Sequence, residues 1–131
     1  MASKTDYLEG AIIDHVLRNT ALTSPTTVYV SLHSAAVSDD GTGAELAVSN
    51  GYVRQSCAFD APHATLGTTQ NTSAVTFTAS GGAWSAATHF AIWDASAAGN
   101  MLYHAALDAS RTAGDGDSIT FAIGDLDLSE A

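Results

Sequence analysis

The chain has 131 residues, a formal net charge of −10 and only four Lys and Arg. That length holds one domain around one hydrophobic core, and so few cations exclude phosphate-led nucleic-acid binding and attachment to anionic membranes. Hydrophobic residues make up 46% of the chain and charged ones 14%, a balance that argues against disorder, with Ser, Thr and Gly filling the gap as in an all-β protein rich in turns.

MASKTDYLEG is polar and acidic, unlike a signal peptide, and no apolar run approaches the roughly 20 residues of a membrane span. The chain is therefore expected in a cytoplasm first, neither secreted nor membrane-spanning. Ser3 with Asp6 three residues on predicts a helix start. Leu8, Ala11, Ile12, His15 and Val16 share one helical face, widened by Ile13 and Leu17, with Glu9, Asp14 and Arg18 opposite. Asn19 and Thr20 end it and Pro25 forbids continuation, so one amphipathic helix is expected over about residues 4–19. His15 on that face reads as a hydrogen-bonded packing residue rather than a ligand.

Strands follow. Thr26 to Leu32 places Val28, Val30 and Leu32 inward and Tyr29 and Ser31 outward. Ala35 to Asn50, with SDDGTGAE at its middle, is expected as an exposed acidic loop. Tyr52 to Phe59 puts Val53, Cys57 and Phe59 on one face and Tyr52 and Arg54 on the other. Ala64 to Thr72 reads as a polar connection, and Ser73 to Thr78 turns Val75 and Phe77 inward.

The clearest stretch is Trp84 to Leu107. Thr88 to Trp93 sets Phe90 and Ile92 against His89, Ala91 and Trp93. Asp94 to Asn100 reverses the chain, and Met101 to Leu107 returns with Leu102 and Tyr103 on opposite faces. This predicts a central hairpin covered on both sides. Ser118 to Ile123 aligns Ile119, Phe121 and Ile123, and Leu126 and Leu128 alternate with Asp125 and Asp127 as a final edge strand. About seven or eight short strands with turn signals between them predict a mainly β chain, a β-sandwich or jelly-roll, over about residues 26–128 of a single domain 1–131.

Catalytic chemistry is sparse. Cys57, the sole cysteine, reads as a small buried hydrophobe, and it rules out an intrachain disulfide or a Cys-based zinc site. His15, His33, His63, His89 and His104 lack zinc spacing, although His89 and His104 approach across the central hairpin. No Gly-x-Ser-x-Gly elbow supports a nucleophile, and SDDGTG and AGDGD lack the Lys of a phosphate loop. A loop-bound Ca²⁺ at Asp39 and Asp40, or at Asp115 and Asp117, is the alternative to plain solvated turns, but the calcium-loop pattern lacks its closing Glu. Paired carboxylates for sugar hydrolysis would need a cleft with a stacking aromatic such as Trp84 or Trp93. No enzyme and no cofactor are expected.

SKTDYLEGAIIDHVLRNT, then SPTTVYVSLHSAAVSDDGTGAELAVSNGYVRQSCAF, then NTSAVTFTASGGAWSAATHFAIWDASAAGNMLYHAAL and RTAGDGDSITFAIGDLDL resemble, in that order, a family of small tailed-bacteriophage structural proteins. That family is labelled phage tail fibre, head fibre or capsid decoration. The helix before TTVYVSLH, the GYVRQ segment and the THFAIWDA hairpin carry the resemblance together. It implies a virion component with a β-sandwich body, made in the host bacterial cytoplasm, and it transfers no catalytic motif.

The leading expectation is a capsid decoration or cement protein on the outer surface of the head, binding the major capsid protein or other virion proteins. The alternative is a tail-fibre or tail-tip piece. Small size, with no repeat or coiled-coil heptad for a shaft, favours decoration. A homo-oligomer, dimer or trimer, is expected. The interface candidates are Tyr29, Tyr52, Arg54, Trp93 and Tyr103, large groups outside the expected core. The other functional class is a carbohydrate-binding sandwich for host attachment, with Trp84 or Trp93 and a loop acid on the sugar.

Overall fold

In a computed structural model describing residues 2–130, the chain runs β1 (Ser3–Lys4), α1 (Asp6–Leu17), β2 (Val28–His33), β3 (Gln55–Cys57), β4 (Thr68–Gln70), β5 (Val75–Thr78), β6 (Ala87–Trp93), β7 (Met101–Arg111), β8 (Ser118–Phe121) and β9 (Asp127–Ser129). All pairings are antiparallel. A five-stranded sheet has the order β1-β7-β6-β2-β3, and two two-stranded ladders, β4-β9 and β5-β8, stand apart from it. The mainly β reading and the N-terminal helix are both present.

The central hairpin is β6-β7, and β2 lies against β6 with Val30 opposite Ile92 and Leu32 opposite Phe90. Those four side chains form the inner face of the sheet. They share one core cluster with Val75, Phe77, Ile119 and Phe121 of the β5-β8 ladder and Leu126 and Leu128 beside β4. Each such burial contributes about 1.5–3 kcal/mol. Phe77 meets Phe121 edge-on and stacks on Tyr52, each at 6.2 Å between ring centres.

Several expectations shift. The helix begins later than residue 4, because Ser3 and Lys4 pair with His104 and Tyr103 as β1. Thr5 caps it instead: its hydroxyl oxygen accepts the Leu8 N–H at 3.4 Å and its O–H is donated to the Met101 carbonyl at 2.6 Å. Asn19, at φ 55°, ends it as expected. Of the apolar helical face only Leu8 is fully buried, with Ile12 packed partly against the core. His15 stays exposed and accepts the Leu22 N–H at 3.2 Å.

Tyr52 and Val53 exchange places. Tyr52 is 1% exposed and Val53 lies outside. The strand begins only at Gln55, and Gly51 at φ +81° turns the chain just before Tyr52, so strand parity does not reach back to it. Ile123 is exposed because β8 stops at Phe121 and a turn follows. Leu102 and Tyr103 both pack on the main core, a β-bulge between Ile92 and Trp93 having broken the alternation.

The expected polar connection 64–72 contains β4 and ends in the best-satisfied buried polar group of the fold. Asn71, fully buried, accepts the N–H groups of Gly124 and Leu126 on its side-chain oxygen, both at 3.0 Å. Its amide nitrogen donates to the carbonyls of Ser73 at 2.9 Å and Ala122 at 3.0 Å. This one side chain closes the 122–126 turn onto the β4-β5 link, and each backbone group it satisfies would otherwise be buried without a partner. Asn71→Leu is therefore expected to cost about 3 kcal/mol, several orphaned groups' worth, in urea unfolding; a loss below 1 kcal/mol would show that water replaces the amide.

Candidate functional site

The outer face of β2 and β6 carries most of the singled-out residues. Strand parity turns Tyr29, Ser31 and His33 outward from β2 and His89, Ala91 and Trp93 outward from β6, with Tyr29 opposite Trp93 and His33 opposite His89. Water does not reach the middle of this face. Ser31 is 0% and His33 1% exposed, so β2 is buried on both sides, whereas the expected cover of the central hairpin does not reach Ala106 and Asp108 to Ser110 of β7, which are exposed. The cover comes from the loop expected to be exposed: Val37 packs on Ala91, Met101 and Trp93 in a second, smaller apolar cluster, Leu46 joins the main core, and Glu45 bridges to His33.

Polar side chains hold that cover down. The Glu45 carboxylate accepts Arg54 Nε–H at 2.9 Å and a second guanidinium N–H, also at 2.9 Å, in a two-point fork, and accepts the Tyr52 hydroxyl at 2.8 Å. The remaining Arg54 terminal nitrogen donates to the carbonyls of Ala95 at 3.1 Å and Ala98 at 2.9 Å, which fixes the β6-β7 turn. The guanidinium carbon stands 3.6 Å from the centre of the Trp93 ring. Four of the five Arg54 donors are thus used inside the chain. Tyr52 completes the join by accepting the Leu32 N–H at 3.0 Å.

These contacts set the titration of the group. Burial works to raise the Glu45 pKa, but the hydrogen bonds from Arg54 and Tyr52 outweigh it and hold the carboxyl below its usual range. Burial, with the nearby Glu45 charge adding to it, pushes the Tyr52 hydroxyl well above its ordinary value. Burial is also what pushes the Cys57 thiol up to about 11, as befits an unreactive packing residue.

Beneath the clamp lies a serine–histidine pair. Trp93 Nε1–H donates to the Ser31 hydroxyl oxygen at 2.7 Å, and the hydroxyl lies 2.7 Å from His33 Nε2. Indole is a donor only, so the serine oxygen accepts from Trp93, and the direction of the Ser31–His33 bond follows the imidazole tautomer. Nδ1 has no partner. It faces Gly43, where a Cβ would stand 3.3 Å from Nδ1 and 3.1 Å from a Val37 methyl, so a side chain there would crowd the closed loop. Glu45 is engaged by Arg54 and Tyr52, and Ser31 has no exposed surface. The pair is therefore a packing element rather than an activated nucleophile open to substrate.

The sequence candidates divide accordingly. Arg54 and Trp93 meet each other, Tyr29 flanks Trp93 and is half-buried, and Tyr52 is a core residue instead of an outward one. Tyr103 belongs to the other face, beside an apolar cleft of about 290 Å³ lined by Val28, Phe59, Ile92 and Leu102, with its hydroxyl on Glu130, which also pairs with Lys4. Trp84 is half-buried, its N–H on the Asn50 carbonyl at 2.9 Å and its ring edge-on to Tyr52. His89 lies opposite Ala106 rather than His104, and His104 pairs with Asp39 at 2.7 Å. Asp40 closes its own turn onto Thr42, Asp115 accepts the Gly81 N–H and Asp117 the Gly114 N–H. Among the described residues no three His, Cys, Asp or Glu side chains converge on one cation position, and no helix is long and apolar enough to cross a membrane.

The role of Glu45 and the Ser31–His33 pair was missed. One signal for it lies in the sequence: Arg54 is the lone cation between Arg18 and Arg111, set among acids and aromatics.

Breaking the clamp leaves a carboxylate under the loop with no cation. Arg54→Ala should lower stability by about 3 kcal/mol, and Arg54→Lys should recover only part of that, because an ammonium cannot fork onto Glu45 while holding two carbonyls. Denaturant unfolding of both variants checks it; full rescue by Lys would reduce the clamp to simple charge.

Burial, offset in part by Glu45 and reinforced by Arg54, His89 and His104, lowers the His33 pKa from 6.5 to about 4. Between those values the unfolded chain takes up a proton that the folded one refuses, so this site costs stability as pH falls from 6.5 toward 4 and nothing above it. Asp39, paired with His104, and Arg54 are the other charges facing this side of the sheet. In His33→Gln the slope of stability against pH in that window should flatten relative to the parent; an unchanged slope would assign it to other groups.

A comparison with protein-family models matches residues 3–129 to a family described as podophage GP4 fiber I protein gp80. No curated protein matches the chain.

Proposed function

The chain belongs to that podophage fibre family and is a virion structural protein, and from this membership we propose that it acts as a fibre component of the particle, by docking to other virion proteins rather than by transforming a substrate. The observation that carries the reading is the match itself, which runs through every strand of the fold. What supports it physically is how the chain spends its reactive groups. Arg54, Glu45, Tyr52 and Ser31 bond within the chain, and Ser31 engages one nitrogen of His33. The outer surface that remains is acidic and weakly charged, suited to repeated modest interfaces. On this reading Tyr29 and the rim of Trp93 on one face, and Tyr103 on the other, are contact residues.

A second reading, capsid decoration, draws on chain size: 131 residues with no repeat and no coiled-coil heptad supply no shaft of their own. The carbohydrate reading has less to draw on, since Arg54 covers one face of Trp93 and Trp84 is tied to Asn50 and Tyr52.

Particles assembled without this protein should keep intact heads under heat and osmotic shock and should lose host adsorption or tail integrity. Quantitative mass spectrometry of purified virions should count it in tens of copies or fewer. Hundreds of copies, with heads that burst when it is missing, would transfer the protein to the shell.

A further inference from the structure

The outer part of the long loop, residues 34–44, is a flap with bonds of its own. The N–H groups of Ser38 and Gly41 donate to the carbonyls of Thr42 and Ser38, and Ser34 donates to Ala44 where the flap leaves the sheet. Of these residues only Val37 is buried. The flap's hold on the body is slight: Val37 against Ala91 and Met101, the Asp39 carbonyl accepting the Asp6 N–H at 2.8 Å, and the Asp39 carboxylate on His104 at 2.7 Å. Beyond Ala44 the chain is fixed, since Arg54 forks onto Glu45 and Leu46 joins the main core. A segment with few apolar contacts and a firm root opens at less cost than the fold around it.

What the flap covers sits badly in a dry interior. His33 is 1% exposed, and its Nδ1 is the one buried side-chain polar atom without a partner among the described residues. Leaving such a group dry costs free energy that contact with water removes. A protonated imidazole carries N–H on both nitrogens. Nε2–H has the Ser31 oxygen at 2.7 Å, but Nδ1–H, facing Gly43 of the flap, has no acceptor while the flap is shut.

We propose that the flap is an acid-opened cover: a proton taken up by the His33 imidazole lifts residues 34–44 off the outer face of β2 and β6, while the Arg54–Glu45 fork stays closed and serves as the hinge. The groups around His33 give the proton no home in the shut form. Glu45 favours it but is engaged by Arg54 and Tyr52, whereas Arg54, His89 opposite on β6 and His104 on β7 all oppose a charge there. Asp39 is the opposing latch, since an imidazolium at His104 would tighten their contact. With the flap shut, burial holds the His33 pKa at about 4, and in water it returns to 6.5. Protons therefore bind the open form more tightly, and the open fraction grows as pH falls through that window. Opening uncovers Ser31, His33, Ala91 and Met101, all buried in the shut form.

The test follows amide hydrogen exchange by NMR in the purified full chain, so its outcome is separate from that of the virion reading. The Asp6 N–H, held by the flap through the Asp39 carbonyl, reports opening, and the amides of β6 at the centre of the sheet report global unfolding. Corrected for the intrinsic rate at each pH, opening at Asp6 should rise by up to about 20-fold from pH 7 to pH 5, with the β6 amides still far better protected. His33→Gln should abolish the rise. Gly43→Ala, which crowds the flap and leaves the sheet alone, should raise opening at Asp6 already at pH 7. An Asp6 amide that exchanges only together with β6, a rise below ~threefold, a rise that survives in His33→Gln, or a Gly43→Ala flap as tightly shut as the parent's would each overturn the proposal.

Discussion

The constraint on which this fold turns is that β2 is buried on both faces. Its inner side chains, Val30 and Leu32, are the ordinary half of a sandwich. Its outer ones, Ser31 and His33, are polar and equally dry. Polar groups removed from water must find partners or pay the desolvation cost. Ser31 meets this through Trp93 and His33, whose Nδ1 stays unpartnered, and the 34–50 loop that covers them is fastened by one fork, Arg54 on Glu45, seated on Trp93. The fork reaches three separated stretches at once: the loop through Glu45, the segment leading into β3 through Arg54, and the β6-β7 turn through Ala95 and Ala98. No apolar contact of similar size would hold all three in register.

The same demand appears on the opposite side in neutral form. Asn71 anchors the turn between β8 and β9 by filling both its acceptor and its donor capacity. One site uses charge and the other an amide, and the difference follows from surroundings. The Arg54 site keeps some contact with solvent through Glu45, where an ion pair loses less hydration. The Asn71 site is closed, and there a neutral group that completes four bonds is the cheaper solution.

How much of this the sequence discloses depends on the range of the interaction. Alternation is local, so β2, β6 and β8 and their inward residues could be read from Val30, Leu32, Phe90, Ile92, Ile119 and Phe121 alone. It fails where the backbone leaves the extended form, at Tyr52 after a left-handed glycine and at Ile123 beyond the end of β8. β1 and β4 carry no apolar pattern. Ser3 and Thr69 are in strands only because His104 and Leu128 lie opposite them, and no local signal encodes that. The site was half visible: Arg54 and Trp93 stand out as large side chains in a lightly charged chain, but reading them as surface groups follows from assuming that the acidic loop is solvated. Val37 and Leu46 inside that loop pack on the sheet and bring it down.

Burial explains most of the composition: apolar residues face a core and polar ones face water or a named partner, with Val48, Val53, Leu66 and Ile123 as large apolar exceptions outside the helix. On α1, Ile13, Val16 and Leu17 stay exposed, and Gly10 sits where alanine would serve an isolated helix better.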